Sequence, residues 1–190
     1  MDNEYINEKV FQGINFFESG FKTSDYENCK FLNCNFTNID LSNNCFENCE
    51  FKNCNFSNSK LSNTALRETS FKSCKLIGLQ FQDCNSFGFS VNYDQCLLDF
   101  SSFFKVTLDN STFKNCSLKE VDFSNSDLSG MVFEDCNLIG AILENCNLEK
   151  ADFRTAINYL IDPEINKISK AKFSIDGLIG LLTKYDIEIE

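Results

Sequence analysis

The side chains that could carry chemistry in this 190-residue chain are 11 cysteines and 28 acidic residues, because histidine is absent. Zinc sites usually combine closely spaced cysteines with further cysteines or histidines, and the chain contains no Cys-x-x-Cys pair. Without histidine the usual proton shuttle at neutral pH is missing, and there is no glycine-rich phosphate loop. We therefore expect no catalytic residue, no metal and no cofactor, and predict that the protein is not an enzyme.

The balance of acidic and basic residues limits which kinds of partner the chain could bind. The 28 acidic residues outweigh 17 basic ones, which gives a net charge of −11. That charge disfavours direct binding to nucleic acid or to an anionic membrane, whereas a basic protein partner remains possible. The N-terminus lacks the basic and apolar regions of a signal peptide, and no run of ~18 apolar residues could span a membrane. We expect a cytoplasmic protein whose thiols are free.

Large apolar residues recur every five positions in two blocks. All 29 of these positions are apolar, in a chain that is 43% apolar. The first block contains Ile6, Phe11, Phe16, Phe21, Tyr26, Phe31, Phe36, Leu41, Phe46, Phe51, Phe56, Leu61, Leu66, Phe71, Leu76 and Phe81. The second contains Tyr93, Leu98, Phe103, Leu108, Phe113, Leu118, Phe123, Leu128, Phe133, Leu138, Leu143, Leu148 and Phe153.

The position two residues before each of these centres is usually small. Ten of the 11 cysteines keep this phase, with Cys84 in the five-residue step that follows Phe81 and with Cys45 as the exception. Cysteine is among the most buried residue types and packs as a small hydrophobe. Each five-residue unit therefore has one large inward side chain, one small inward side chain and three outward polar ones, so the cysteines are predicted to be structural.

A period of five matches neither a helix nor a flat strand. It suits a chain that turns a corner after every unit. Units such as Cys34-Asn35-Phe36, Val121-Asp122-Phe123 and Ala151-Asp152-Phe153 resemble those of the pentapeptide-repeat family, which read roughly A-(D/N)-L-x-x. This resemblance implies an all-β fold, a right-handed quadrilateral parallel β-helix with four units per coil.

A 20-residue period supports the four-unit coil independently. One column would be aromatic throughout: Phe11, Phe31, Phe51, Phe71, Tyr93, Phe113, Phe133 and Phe153. A second would contain Cys34, Cys54, Cys74, Cys96, Cys116 and Cys136. Both stay in register only if two extra residues lie within 85–92. We expect a β-helix over 1–157, with a short polar cap at 1–5; about 7.5 coils stacked at ~4.8 Å would be roughly 36 Å long.

The segment 158–190 loses the five-residue pattern and is predicted to cap the β-helix. Ser174 could N-cap a helix over about 175–184. Its apolar stripe is wide for one coil end, so a two-fold dimer would bury the remainder. The segment also resembles the C-terminus of the Qnr-type quinolone-resistance proteins of bacteria, and this resemblance implies a homodimer through the helix. The predicted dimer-interface residues are Ile175, Leu178, Ile179, Leu181, Leu182 and Tyr185.

Outward charge is unevenly distributed over the four sides of the coil. We number the sides so that face one is centred on Phe11, face two on Phe16, face three on Phe21 and face four on Ile6 and Tyr26. Face one carries five acids and five bases, whereas face four has only Arg67 and Lys150 as basic residues. An acidic face could bind a basic partner or simply keep the protein soluble. The candidate partner-binding acids on face four are Glu8, Asp25, Glu27, Glu47, Glu68, Asp109, Asp127 and Glu149.

Qnr-type proteins are thought to mimic B-form DNA and to act on type II topoisomerases, namely gyrase and topoisomerase IV. The resemblance therefore implies a DNA-mimicking topoisomerase binder that modulates quinolone sensitivity. Duplex DNA ~36 Å long would carry about 21 charges, so mimicry by a chain with net charge −11 would depend on shape as much as on charge. The chain also lacks the long projecting loops of many Qnr-type proteins. The alternative is a repeat scaffold that binds another protein and has no effect on gyrase.

Overall fold

Residues in the left-handed backbone region turn the chain at most of its corners. In the computed structural model, which describes residues 3–188, such residues recur mainly at intervals of five. Asparagine and glycine tolerate positive φ better than other residues, and asparagine is the commonest residue at these corners. At Asn38, φ is 59°, and the N–H of Ile39 donates to the carbonyl oxygen of Phe36 at 3.0 Å. The bend is thus a type II turn with its left-handed residue third.

These corners produce a four-sided parallel β-solenoid of about seven turns. Face four begins as a four-stranded sheet, and face one is a seven-stranded sheet. The strands are short: β1 Glu4–Asn7, β2 Val10–Gln12, β3 Ser24–Glu27, β4 Lys30–Leu32, β5 Cys45–Glu47, β6 Glu50–Lys52, β7 Ala65–Arg67, β8 Thr69–Lys72, β9 Val91–Asp94, β10 Thr112–Lys114 and β11 Phe133–Glu134. All the pairings between these strands are parallel. The other two faces are joined by single bridges, such as Asn15 with Asn35 and Asp40 with Lys60.

The register between neighbouring coils changes once. Ala65 pairs with Asn85, an offset of 20, but Thr69 pairs with Val91, an offset of 22. The two additional residues therefore lie between 85 and 91. Later bridges return to an offset of 20, as between Thr107 and Asp127.

Helical segments interrupt the repeat in three places. The α-helix α1, Phe16–Ser19, belongs to the first coil, and a 3-10 helix covers Phe81–Asp83. The C-terminal segment contains a 3-10 turn at Asp176–Leu178, the α-helix α2 at Ile179–Leu182 and a 3-10 turn at Thr183–Tyr185. This short helix agrees with the predicted fold class.

The chain ends differ from the simple caps expected from the sequence. Met1 and Asp2 of the predicted cap 1–5 lie outside the described residues, as do Ile189 and Glu190 at the other end. Glu4 and Tyr5 already belong to β1. The ladder also continues beyond residue 157, since Asn147 bridges to Lys167 and Asp152 bridges to Lys172.

Aromatic rings fill the core behind face one. Nine rings stack in a column with centroids 4.7–5.7 Å apart and planes within 12° of parallel. Rings from adjacent faces meet them edge-on, as Phe31 meets Phe36 at 5.6 Å. Each such pair is worth about 0.5–1.5 kcal/mol beyond its buried area. The column comprises Phe11, Phe31, Phe51, Phe71, Tyr93, Phe113, Phe133, Phe153 and Phe173.

The small residues before each centre do more than leave room for the rings. The Cys74 thiol donates to the carbonyl oxygen of Phe51 in the preceding coil at 3.3 Å, and Cys54 makes the same contact with Phe31. Where the position holds a hydroxyl, the contact persists, as in Thr64 to the carbonyl of Leu41 at 2.8 Å. Because a buried carbonyl without a donor destabilises a fold by about 1–3 kcal/mol, a small donor at this position is favourable, which explains why cysteine, serine and threonine are frequent there. Residues without a donor also occupy it, as Val121 and Ala151 do.

The corner geometry makes Asn125 a test position, because it is exposed and has φ of 60°. We expect Asn125→Ala to lower the free energy of unfolding by about 1 kcal/mol, since alanine lacks the short polar side chain that lets asparagine adopt the left-handed region at low cost. Asn125→Gly should be nearly neutral, because glycine adopts this conformation freely. Urea denaturation of both variants measures the difference. Equal stability of the alanine and glycine variants would contradict this account of the corners.

Candidate functional site

The eight acids predicted for face four lie on one side of the solenoid. Glu8 follows β1, Asp25 and Glu27 belong to β3, Glu47 belongs to β5 and Glu68 follows β7. In the later coils, face four is held by single bridges such as that between Thr107 and Asp127. The same side there carries Asp109, Asp127 and Glu149. Five of the eight side chains are exposed and three are half-buried. Their carboxylates therefore face solvent along the length of the solenoid.

Half of these carboxylates have no compensating partner. No ion pair or hydrogen bond engages the carboxylate of Glu8, Glu68, Asp109 or Glu149 within the described range 3–188. Opposite charges on face one instead alternate between coils and pair: Lys30 with Glu50 at 3.3 Å, Lys72 with Asp94 at 3.1 Å and Lys114 with Glu134 at 2.7 Å. Face one is thus largely self-neutralised, and face four is not.

The remaining acids of face four make local contacts. Asn3 Nδ2 donates to Asp25 at 2.8 Å, and Asn147 Nδ2 donates to Asp127 at 3.1 Å. The Tyr5 hydroxyl donates to Glu27, and this hydrogen bond raises the pKa of the tyrosine. These partners are neutral at pH 7, so they leave the negative charge in place.

Only one basic side chain intervenes among the acids of the sheet on face four. Glu27 and Glu47 are directly opposite one another in neighbouring strands, and Arg67 follows in the next strand. Arg67 Nη1 lies 3.4 Å from Glu47 Oε2. Like charges placed opposite one another destabilise a sheet, so this arrangement does not arise from stability of the solenoid alone.

The C-terminal helical segment docks through glycines rather than through its apolar stripe. Ser174 Oγ accepts from the Gly177 N–H at 3.1 Å, as an N-cap does. The Gly180 carbonyl accepts from the Ile161 N–H at 3.0 Å. A Cβ on Gly180 would lie only 2.2 Å from the Tyr159 carbonyl oxygen, so the helix backbone rests directly on Tyr159. Sequence reasoning missed this contact, because a glycine inside a helix usually indicates only a weak helix former.

An ion pair holds the far end of the same segment. Lys184 Nζ lies 2.5 Å from Asp162 Oδ1 and 2.8 Å from Glu164 Oε2. Its ammonium group holds the pKa of the Asp162 carboxyl below the ordinary value. The helix is therefore fixed at both ends against the last coil.

The predicted dimer-interface residues divide into two groups. Leu181 packs against the core, and Leu182 is half-buried. The other four are exposed, with Ile175 at 87%. Ile179 also borders a groove of about 670 Å³ between the helix and face two, together with Ile139 and Ile157. An apolar surface therefore remains uncovered in the single chain, and it comprises Ile175, Leu178, Ile179 and Tyr185.

The cysteines lie mainly in the core of the solenoid. All 11 are free, and nine are buried. Burial raises the pKa of Cys49 to about 12 and also raises that of Cys45. Within residues 3–188, no three Cys, Asp or Glu side chains form a potential metal site. In the same range, no helix is long and apolar enough to cross a membrane.

Comparison with known proteins agrees with this geometry. The family model for pentapeptide repeats matches residues 27–58, 49–85 and 116–154, with eight copies. Full-length QnrB1, a plasmid-mediated fluoroquinolone resistance protein, is 17% identical; the match covers 96% of this chain and 100% of QnrB1, with a TM-score of 0.57. A trypsin-treated form of QnrB1 is also 17% identical, covering 100% of this chain and 92% of that one, with a TM-score of 0.57.

A more distant structure shares the repeat. This structure is HetL, a pentapeptide repeat protein from the cyanobacterium Nostoc sp. that is involved in regulating heterocyst differentiation. HetL is 15% identical to this chain, and the match covers 93% of this chain and 89% of HetL with a TM-score of 0.38. No curated protein matches the chain by sequence. At identities this low, the similarity to the QnrB1 structures establishes the fold alone.

The glycine contact predicts the behaviour of the C-terminal segment. We expect Gly180→Ala to detach the helix, because the new methyl group would overlap the Tyr159 carbonyl. The Ile161 amide would then lose its acceptor and exchange with solvent at least tenfold faster, as measured by hydrogen exchange. Ile175→Ala is the control. Because Ile175 is almost fully exposed, this substitution should leave the exchange rate of the Ile161 amide unchanged. An unchanged rate in Gly180→Ala would show that the helix does not depend on this close approach.

Proposed function

Because the chain belongs to the pentapeptide-repeat family, we propose that it is a non-enzymatic, dimeric binding protein whose face four docks on a basic protein surface. The proposed partners are the type II topoisomerases gyrase and topoisomerase IV. Face four would occupy a surface that otherwise receives DNA, and its binding would alter sensitivity to quinolones. The fold shared with QnrB1, a plasmid-mediated fluoroquinolone resistance protein, supports this choice of partner.

The observation that carries the proposal is the contrast between the two sheets. The acids of face one pair with lysines in adjacent coils, whereas Glu68, Asp109 and Glu149 on face four have no counterion within the described residues. Unpaired exposed charge contributes little to folding stability. It does speed encounter with a surface of opposite charge and excludes partners of like charge.

The regular stacking of coils supports the proposed fit to a DNA-binding groove. Coils rise by the spacing of hydrogen-bonded strands, ~4.8 Å, so the carboxylates of face four would form a regular row along one side. Its charge density is lower than that of duplex DNA, which carries one charge per ~1.7 Å. Binding would therefore combine rigid shape with moderate electrostatic attraction.

A repeat scaffold for a different protein is the alternative. It would use the same fold without recognising a topoisomerase. A supercoiling assay of gyrase with and without ciprofloxacin distinguishes the two. An effect at micromolar protein supports the proposed function, and no effect in either condition favours the scaffold.

The unpaired acids of face four provide a direct test of the proposed docking. We expect the combined substitution Glu68→Lys, Asp109→Lys and Glu149→Lys to weaken binding to gyrase at least tenfold and to flatten its dependence on salt, because screening acts on the charges removed. Biolayer interferometry over a range of salt concentrations measures both effects.

A matched triple controls for net charge. Asp83, Asp135 and Glu144 are also exposed and lie off face four, so their replacement by lysine makes the same change in total charge. This control should retain most of the affinity. Equal losses in the two triples would show that overall charge, rather than face four, determines binding.

A further prediction concerns the homodimer. We expect the wild-type protein to sediment at twice the 21.7 kDa chain mass. The Ile179→Asp variant should sediment as a monomer, because dimer formation would then bury a charged side chain in the apolar interface around residue 179. Val10→Asp, at an exposed position in the first coil, should remain dimeric. A monomeric wild-type protein at micromolar concentration would refute the dimer.

A further inference from the structure

The segment Ser86–Ser90 replaces a three-residue side of the coil by a five-residue one. Its flanks stay paired to the preceding coil, since Ala65 bridges to Asn85 and Thr69 pairs with Val91. The Ser90 N–H also donates to the Leu66 carbonyl at 3.1 Å. The additional length is thus confined to one place on face four.

The segment sends one aromatic ring inward and one outward. Phe89 is 7% exposed and meets Phe81 edge-on at 6.5 Å, so it fills the core position that a leucine or phenylalanine occupies in other coils. Phe87 is 77% exposed, more than any other aromatic side chain within residues 3–188. The solenoid therefore gains nothing from burying Phe87 and holds it in solvent.

Phe87 is nevertheless fixed in place. The Arg67 guanidinium carbon lies 5.4 Å from the centre of its ring, within the range of a cation–π contact. Arg67 Nε donates to the Phe87 carbonyl at 3.3 Å, and the Phe87 N–H donates to Asn85 Oδ1 at 3.0 Å. Glu47 in turn holds the other side of Arg67. A ring held this firmly loses little conformational entropy on binding.

Acidic side chains surround the base of this ring. A cleft of about 630 Å³ opens beside it, with Ser86 and Gly88 on one side and Glu47, Glu68 and Asp109 among its other lining residues. Arg67 is the one basic residue in the lining, and it already pairs with Glu47. The cleft could therefore accept a basic side chain from the same partner.

We infer that Phe87 is the anchor through which face four engages its partner, a protein surface that presents an apolar socket bordered by lysine or arginine. The ring would fill the socket, and a basic side chain of the partner would enter the cleft beside Glu68 and Asp109. Buried aromatic anchors with a charged rim dominate protein interfaces. The acids that line the cleft are complementary to a basic surface, so we assign this site to a basic protein partner rather than to a second copy of this acidic chain.

This inference rests on the proposed function, and gyrase holoenzyme is the probe. We expect Phe87→Ala to raise the Kd at least tenfold with an unchanged melting temperature. The slope of affinity against salt should match the wild type, because no charge is removed. Phe17→Ala is the matched control, since Phe17 is 72% exposed on face two, and it should bind as the wild type does.

The outcomes separate the two proposals. If wild-type protein fails to bind gyrase, both the proposed function and the anchor are overturned. If the wild type binds and Phe87→Ala binds equally well, the anchor alone is wrong and face four acts through its charges. A loss of affinity in Phe17→Ala as large as in Phe87→Ala would also overturn the anchor.

Discussion

The left-handed residue at the corner of each unit is the constraint on which the rest of this molecule depends. It fixes the bend between successive units, so that the centre of every unit points inward and the centres of successive coils align. An ordinary side chain in this conformation costs about 1–2 kcal/mol. Asparagine and glycine relieve most of that cost, whereas Phe100, with φ of 60°, does not. The repeat thus tolerates strained corners at many positions, such as Glu68 and Lys105, because the aromatic columns stabilise the whole stack.

The same geometry separates what the core requires from what the surface can vary. Inward positions take a ring or leucine at the centre and a smaller side chain two residues before it, which is often a hydrogen-bond donor such as cysteine, serine or threonine. Outward positions contact their counterparts one coil away or near neighbours in the same unit, as Arg154 contacts Asp152. Face one fills them with alternating lysines and acids, as at Lys114 and Glu134, while face four repeats acids. The distinction between the two sheets is therefore one of surface chemistry on a common backbone.

The repeat class and the short C-terminal helix could be predicted from the sequence, because a period of five and a 20-residue supra-period admit few arrangements. The role of asparagine at corners was not recognised, since its polarity also suits an exposed position. The continuation to Phe173 was missed because Asn158 and Pro163 occupy expected centres, whereas Tyr159 is the buried residue there. Periodicity also could not decide whether Phe87 or Phe89 is the buried residue, because the five-residue period is interrupted by the local insertion.

The hydrogen bonds from cysteine thiols to carbonyl groups of the preceding coil have a consequence for how the protein is made. In a newly synthesised chain all 11 cysteines are open to oxidation, and any pairing between them would lock the chain into a wrong register. Each coil that stacks withdraws its thiol from solvent and engages it with a carbonyl of the coil before, as Cys54 and Cys74 do. Assembly and oxidation therefore compete in time, and a solenoid that grows coil by coil protects its cysteines in the order in which they emerge.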